Sequence, residues 1–213
     1  MNILPGILAT TIHELKEQLH LVSFAKKVHL DVMDGRFVSN KTVLLHTLKK
    51  HFPKQDVQVH LMAHKPHRYI KPFSRLGAKE LIIHAEATTH PCETLEDIRL
   101  AGMKSGIAFS PNTPIRGHEH PLIHSDLALV MTVHPGHSGQ AFLKKPLEKI
   151  AAIKKHNPAI EIGVDGGINL GTCAIAARAG AHFSIATSAI QHEKHPQAAY
   201  RKLLAKSNVS PRI

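Results

Sequence analysis

Eight short apolar runs rich in β-branched residues, alternating with amphipathic stretches, predict an α/β protein made of repeated βα units. The chain is 213 residues long. That leaves about 27 residues per unit, the minimum for a strand, a helix and two loops. No linker, low-complexity tract or composition shift divides it. Residues 1–213 therefore read as one domain, a single (β/α)8 TIM barrel, because closure removes the two edges that an open sheet would expose. A doubly wound open sheet is the competing architecture that alternation alone leaves standing.

Residues 3–8 (ILPGIL) supply the first strand, and the amphipathic stretch 12–25 follows. Residues 28–33 (VHLDVM) alternate apolar and polar side chains before the helical stretch 43–51, and residues 57–62 (VQVHLM) repeat that alternation. Residues 80–85 and 105–109 flank a helix at 95–100. Residues 127–133 (LALVMTV) are almost continuously apolar, as a strand covered on both faces should be, and a helix at 146–156 follows. Residues 160–164, a helix at 171–178 and residues 183–186 complete the series. Leu76-Gly77-Ala78, Ala101-Gly102-Met103 and Ala179-Gly180-Ala181 each precede a strand run. Glycine there suits the left-handed cap that ends a helix.

Apolar residues at 43% and charged residues at 20% are ordinary globular values, which excludes a disordered or fibrous chain. No run is long and apolar enough to span a bilayer, and the first residues lack the basic start of a signal or transit peptide. Cys92 and Cys173 cannot form a disulfide framework, which fits a reducing, cytoplasmic location. Twenty-seven Lys and Arg against 16 Asp and Glu give a net charge of +11, beside 19 histidines. Such an excess fits an anionic partner (nucleic acid, an anionic membrane or a phosphorylated small molecule) and fits equally a basic surface of no specific use. The lysine pairs at 49–50, 144–145 and 154–155 read as solvated helix faces, and no aromatic stacking motif accompanies them. The expectation is no nucleic-acid and no membrane partner.

In a barrel of this kind, chemistry sits at the C-terminal strand ends, and the last loops seat phosphate. Alternation puts His29 and Asp31 on one face of the second strand and Val28, Leu30 and Val32 on the other. The same rule turns His60 inward from the third strand and Asp165 inward from the seventh. Four buried polar groups converging from three strands need each other or a cation. They form either a closed hydrogen-bonded network or a site for one divalent metal ion, with Zn, Fe, Mn and Co all compatible. Three turns follow successive strands: Gly136, His137, Ser138 and Gly139 after the sixth, Gly166 and Gly167 after the seventh, Thr187 and Ser188 after the eighth. They suit a phosphate held by backbone amides. His118, His120 and His124 read as surface residues of a helix or loop.

The strings His29-Leu30-Asp31-Val32-Met33-Asp34-Gly35-Arg36-Phe37-Val38, Val59-His60-Leu61-Met62, His84-Ala85-Glu86-Ala87-Thr88, Met131-Thr132-Val133-His134-Pro135-Gly136 and Val164-Asp165-Gly166-Gly167-Ile168 together resemble the ribulose-phosphate 3-epimerase family. The resemblance runs in the family's order over residues 3–204. It implies a barrel of the ribulose-phosphate-binding type that interconverts ribulose 5-phosphate and xylulose 5-phosphate in the pentose phosphate pathway. It further implies a divalent metal held by His29, Asp31, His60 and Asp165, and Asp31 and Asp165 exchanging a proton through a metal-stabilised enediolate. Met33, Met62 and Met131 then line the space around the reacting carbon, and His60 also contacts substrate. Association into homo-oligomers is implied without a stoichiometry.

Three places depart from the family's pattern. Gly6 stands where the family carries a serine that contacts the sugar, His137-Ser138 interrupt a glycine-rich loop, and Thr187 replaces a glycine. His137 could close over a phosphate. Gly6 leaves apparent room for a longer sugar, so a hexulose phosphate such as allulose 6-phosphate is an alternative substrate. A catalytically idle sugar-phosphate-binding barrel is the alternative outside enzymes.

Overall fold

The computed structural model describes residues 1–43, 45–137 and 139–208. Its strands are β1 (Asn2–Ile7), β2 (Lys27–Met33), β3 (Asp56–Met62), β4 (Glu80–His84), β5 (Lys104–Phe109), β6 (Leu127–Met131), β7 (Glu161–Asp165) and β8 (Phe183–Ala186). They close in that order into a parallel TIM barrel, with β8 pairing β1 through Asn2–Phe183 to Pro5–Ala186. An open doubly wound sheet is thereby excluded. Every expected strand is present, with ends moved by two residues at most.

The sixth strand shows why an end moves. Thr132 leaves the strand because its hydroxyl donates to the carbonyls of Asp165, at 2.9 Å, and Gly166, at 2.7 Å. That cross-link fastens the ends of β6 and β7 to each other.

Helices α1 (Ile12–Leu21), α2 (Leu45–His51), α3 (His67–Leu76), α4 (Pro91–Leu100), α5 (Glu119–Ile123), α6 (Lys149–His156), α7 (Thr172–Arg178), α8 (Ser188–Gln191) and α9 (Pro196–Ser207) surround the sheet. The start of α1 follows from its sequence. Thr11 accepts from the Glu14 amide, and the Glu14 side chain accepts in return from the Thr11 amide. The stretch expected as one helix at 146–156 begins instead with a 3-10 turn, Lys145–Glu148, and becomes α-helical at Lys149. The last unit carries two helices, the four-residue α8 and the outer α9. Gly77, Gly102 and Gly180 have φ of 86°, 84° and 97°, the left-handed caps expected of them.

Two apolar layers result. Outward residues such as Val28, Leu30, Val32, Ile162 and Val164 pack beneath the helices with Leu15, Phe73, Leu95 and Ile150. Leu4, Ile82, Ala108, Leu127, Leu129, Met131, Phe183 and Ile185 fill the barrel itself. The filling is tight: a Cβ on Gly163 would lie 2.3 Å from the Phe183 ring. Around β2, β3 and β4, by contrast, the interior is polar, with His29, Asp31, Gln58, His60, Glu80 and His84 all buried. Among the described residues no helix is long and apolar enough to cross a membrane.

Candidate active site

Strand register assembles the cluster. Asp31 pairs with His60 across β2 and β3, and Asp165 closes the far side from β7 beside Met131. One donor atom from each of His29, Asp31, His60 and Asp165 lies within 4.8 Å of every other. Asp31 Oδ1 is 2.9 Å from His60 Nδ1 and 3.5 Å from His29 Nε2. Asp165 Oδ2 is 3.5 Å from His60 Nδ1 and 3.9 Å from His29 Nε2.

The two carboxyls differ in their electrostatics. Burial raises the pKa of Asp31, but hydrogen bonds from His29 and His60 outweigh it and hold the group well below the usual carboxylate range. Burial and the adjacent Asp31 charge push Asp165 up to about 6. For His29, burial is more than offset by Asp31 and Asp165, so its pKa rises. Burial dominates at His60 and lowers it.

The donor set fits a divalent cation. His29 Nε2 is buried, faces both carboxylates and has no hydrogen-bond partner among the described residues. A lone pair held there without a partner is costly unless a cation or a proton takes it. Two imidazoles and two carboxylates within ligand distance suit Zn, Mn, Fe or Co.

Above the cluster lies one cleft that gathers most of the residues singled out from the sequence. It is lined by Asp31, Asp165, the thioethers of Met33, Met62 and Met131, and the turns at Gly136, His137, Gly139, Gly166, Gly167, Thr187 and Ser188. His29 and His60 lie behind Asp31 and Asp165, fully buried. Ser138 lies outside the described residues. His137 is exposed at the rim. Gly166 and Gly167 have φ of 112° and 65°, and a Cβ on Gly166 would fall 2.4 Å from Val133. These two positions need glycine.

The room expected at Gly6 is absent. Thr187 Oγ1 fills it, standing 2.1 Å from where a Gly6 Cβ would be. The two departures from the family's pattern on β1 and after β8 therefore complement each other, and a threonine hydroxyl occupies the space next to Gly6.

Several residues behind the cluster went unassigned from the sequence. His84 Nε2 lies 2.9 Å from His60 Nε2, and His84 Nδ1 lies 3.1 Å from Glu86 Oε2. Glu86 also accepts from the Ser110 amide and the Thr113 hydroxyl. Although burial opposes it, the His84 bond brings Glu86 down to about 2. Gln58 and Glu80 continue the polar face of β3 and β4 below His29. The period-two alternation carried the signal: Gln58, His60 and Met62 share a face, as do Glu80, Ile82 and His84. Of the three histidines before β6, His120 is exposed, whereas His118 and His124 are half-buried and His118 packs edge-on against Phe109.

The model of the "Ribulose-phosphate 3 epimerase family" matches residues 2–191. The chain belongs to the ribulose-phosphate 3-epimerase family. The ribulose-phosphate 3-epimerase of Mycobacterium leprae (strain TN) is 38% identical over 218 residues, covering 99% of this chain and 97% of that relative. The enzyme of the same name from Bacillus subtilis (strain 168) is 37% identical, covering 89% and 92%. In architecture the chain is similar to 3-hexulose-6-phosphate synthase from Salmonella typhimurium, with a TM-score of 0.70 at 16% identity over 97% of this chain and 98% of that one. Tryptophan synthase of Mycobacterium tuberculosis gives 0.68 at 14% identity, over 98% and 93%. At those identities the likeness is one of fold. Membership of the epimerase family makes the chain an isomerase.

Proposed function

We propose that the chain epimerizes a pentulose phosphate at C3, interconverting D-ribulose 5-phosphate and D-xylulose 5-phosphate, with one divalent metal held by His29, Asp31, His60 and Asp165. The convergence of these four side chains on one point beneath a glycine-walled cleft carries the reading. Inverting a carbon beside a ketone requires a base on one face and an acid on the other. A bound divalent metal supplies Lewis acidity that favours negative charge on the ketone and its neighbouring hydroxyl.

The chain's own residues do the rest. Asp31 and Asp165, reaching the cluster from β2 and β7, are suited to take the C3 proton on one face and return one on the other, and the roles exchange in the reverse direction. Met33, Met62 and Met131 keep water from the reacting carbon without offering a competing base. Backbone amides around Gly136, Gly139, Gly166, Gly167 and Ser188, with His137 at the rim, seat the phosphate. A phosphate held mainly by amides makes little demand on the +11 surface charge.

Incubating the protein with ribulose 5-phosphate in deuterated water should place deuterium at C3. Absence of exchange with metal present rejects the reading. Asp31→Asn and Asp165→Asn should each abolish interconversion of the two epimers while leaving the fold and its thermal midpoint near wild type.

A further inference from the structure

Behind His29, a run of hydrogen bonds descends through the barrel interior. His29 Nδ1 is 2.7 Å from Gln58 Oε1, Gln58 Nε2 is 2.5 Å from Glu80 Oε2, and Glu80 Oε1 is 2.6 Å from Lys27 Nζ. His29, Gln58 and Glu80 are buried, and only the Lys27 side chain, 28% exposed, reaches towards solvent. Gln58, Glu80 and Lys27 come from β3, β4 and the start of β2, and none of them lines the substrate cleft.

The direction of each bond is forced. A lysine ammonium can only donate, so Glu80 accepts from it. A carboxylate can only accept, so the Gln58 amide must turn its NH2 toward Glu80 and its oxygen toward His29. That oxygen can only accept, so His29 must carry its proton on Nδ1. In the neutral imidazole the proton-free nitrogen is then Nε2, the atom that faces Asp31 and Asp165 with no hydrogen-bond partner among the described residues. The ammonium at the foot of the barrel thus fixes, through two intermediaries, which imidazole nitrogen is available to a metal.

We propose that Gln58 and Glu80, anchored by Lys27, are positioning residues that lock His29 in its Nδ1–H tautomer so that Nε2 is presented to the metal. The inference rests on the metal reading above and adds to it the device that prepares one ligand. Partners that orient a metal-bound histidine typically contribute 10–100-fold in metal affinity. Here an uncharged amide touches the imidazole and the charge sits one residue further back, so the relay orients His29 without placing a third carboxylate against it.

The decisive variant keeps the ion pair and reverses the relay. In Lys27→Glu/Glu80→Lys the new ammonium donates to Gln58, whose oxygen turns down and whose NH2 turns toward His29. A purely structural pair predicts no change. The relay predicts Zn2+ or Mn2+ binding about 10–100-fold weaker in chelator competition. It also predicts a move of the His29 proton to Nε2 in the 15N spectrum of the metal-free protein at alkaline pH. Metal affinity within twofold of wild type, or an unchanged tautomer, overturns the proposal.

Should the swapped protein not fold, Glu80→Leu frees the amide to take either orientation. Affinity within twofold of wild type then overturns the proposal, and a drop with a mixture of tautomers supports it. The tautomer is read without metal, so a wild-type chain that binds no metal rejects the metal reading while the relay is still decided.

Discussion

Gly6 and Thr187 should be energetically coupled, and a double-mutant cycle measures it. A Cβ on Gly6 would lie 2.1 Å from Thr187 Oγ1, 3.0 Å from Ile185 Cγ2 and 3.3 Å from Thr187 Cβ. The overlap with the hydroxyl exceeds 1 Å by ordinary contact distances of roughly 3.2 Å or more. The backbone has little freedom to relieve it. Pro5 pairs with Ala186 across β1 and β8, and Gln191 Nε2 donates to the Gly6 carbonyl at 2.5 Å. Thr187 must therefore leave its rotamer or the two strands must part.

Off-rotamer and overpacking costs together come to about 1–3 kcal/mol for Gly6→Ala. In a chain of this size that lowers the thermal midpoint by roughly 4–8 °C at the middle of the range. In a Thr187→Ala background the same substitution meets no hydroxyl, and the about 0.4–1 kcal/mol gained from a stiffer unfolded chain offsets the close contacts that remain to Ile185 Cγ2 and the residue-187 Cβ. Urea or thermal denaturation of the wild type, both single variants and the double variant gives the coupling energy, expected above about 1 kcal/mol. Additivity within roughly 0.5 kcal/mol would refute the complementarity inferred here.

Other outcomes follow from the same geometry. Metal binding must displace protons from the cluster, so affinity should fall as pH falls. Asp165, with its pKa near 6, alone makes binding about tenfold weaker at pH 5 than at pH 7. His29, raised above its ordinary value, adds to the loss in the same direction. Calorimetric titration at several pH values checks both, and a pH-independent affinity contradicts them. Gly166→Ala places a methyl 2.4 Å from Val133 at a φ of 112°, so inorganic phosphate should bind several-fold more weakly while metal affinity stays unchanged. Leu129→Ala opens a cavity in the barrel interior and should cost about 2–5 kcal/mol in urea unfolding, without altering the metal site.

The strands were legible because their apolar runs are short, frequent and bounded by turn residues. The convergence of His29, Asp31, His60 and Asp165 was legible because alternation alone decides which side of β2, β3 and β7 each residue faces. Helix ends were less so. Stretch 146–156 carries Pro146 near its start, and periodicity does not separate a 3-10 turn from the first turn of an α-helix. The end of β6 depended on the Thr132 hydroxyl finding two carbonyls on the next strand end, a contact about 33 residues away that no local pattern encodes. Likewise, Gly6 read as open space because its occupant, Thr187, comes from the other end of the chain. Gln58 and Glu80 sit at ordinary inward positions, and their role emerges only when β2, β3 and β4 are set in register.

The polar file under His29 also constrains the order in which its members could have been acquired. Glu80 is 5% exposed, and without Lys27 beside it a carboxylate there would be buried and unpaired, a cost of roughly 3–5 kcal/mol. Lys27, partly in solvent, could have arrived first at little penalty, whereas the reverse sequence passes through a severely weakened barrel. The same asymmetry governs loss: Glu80 can be discarded with Lys27 still present, but Lys27 cannot safely be discarded first. This is epistasis with a direction, set by which end of the file meets water.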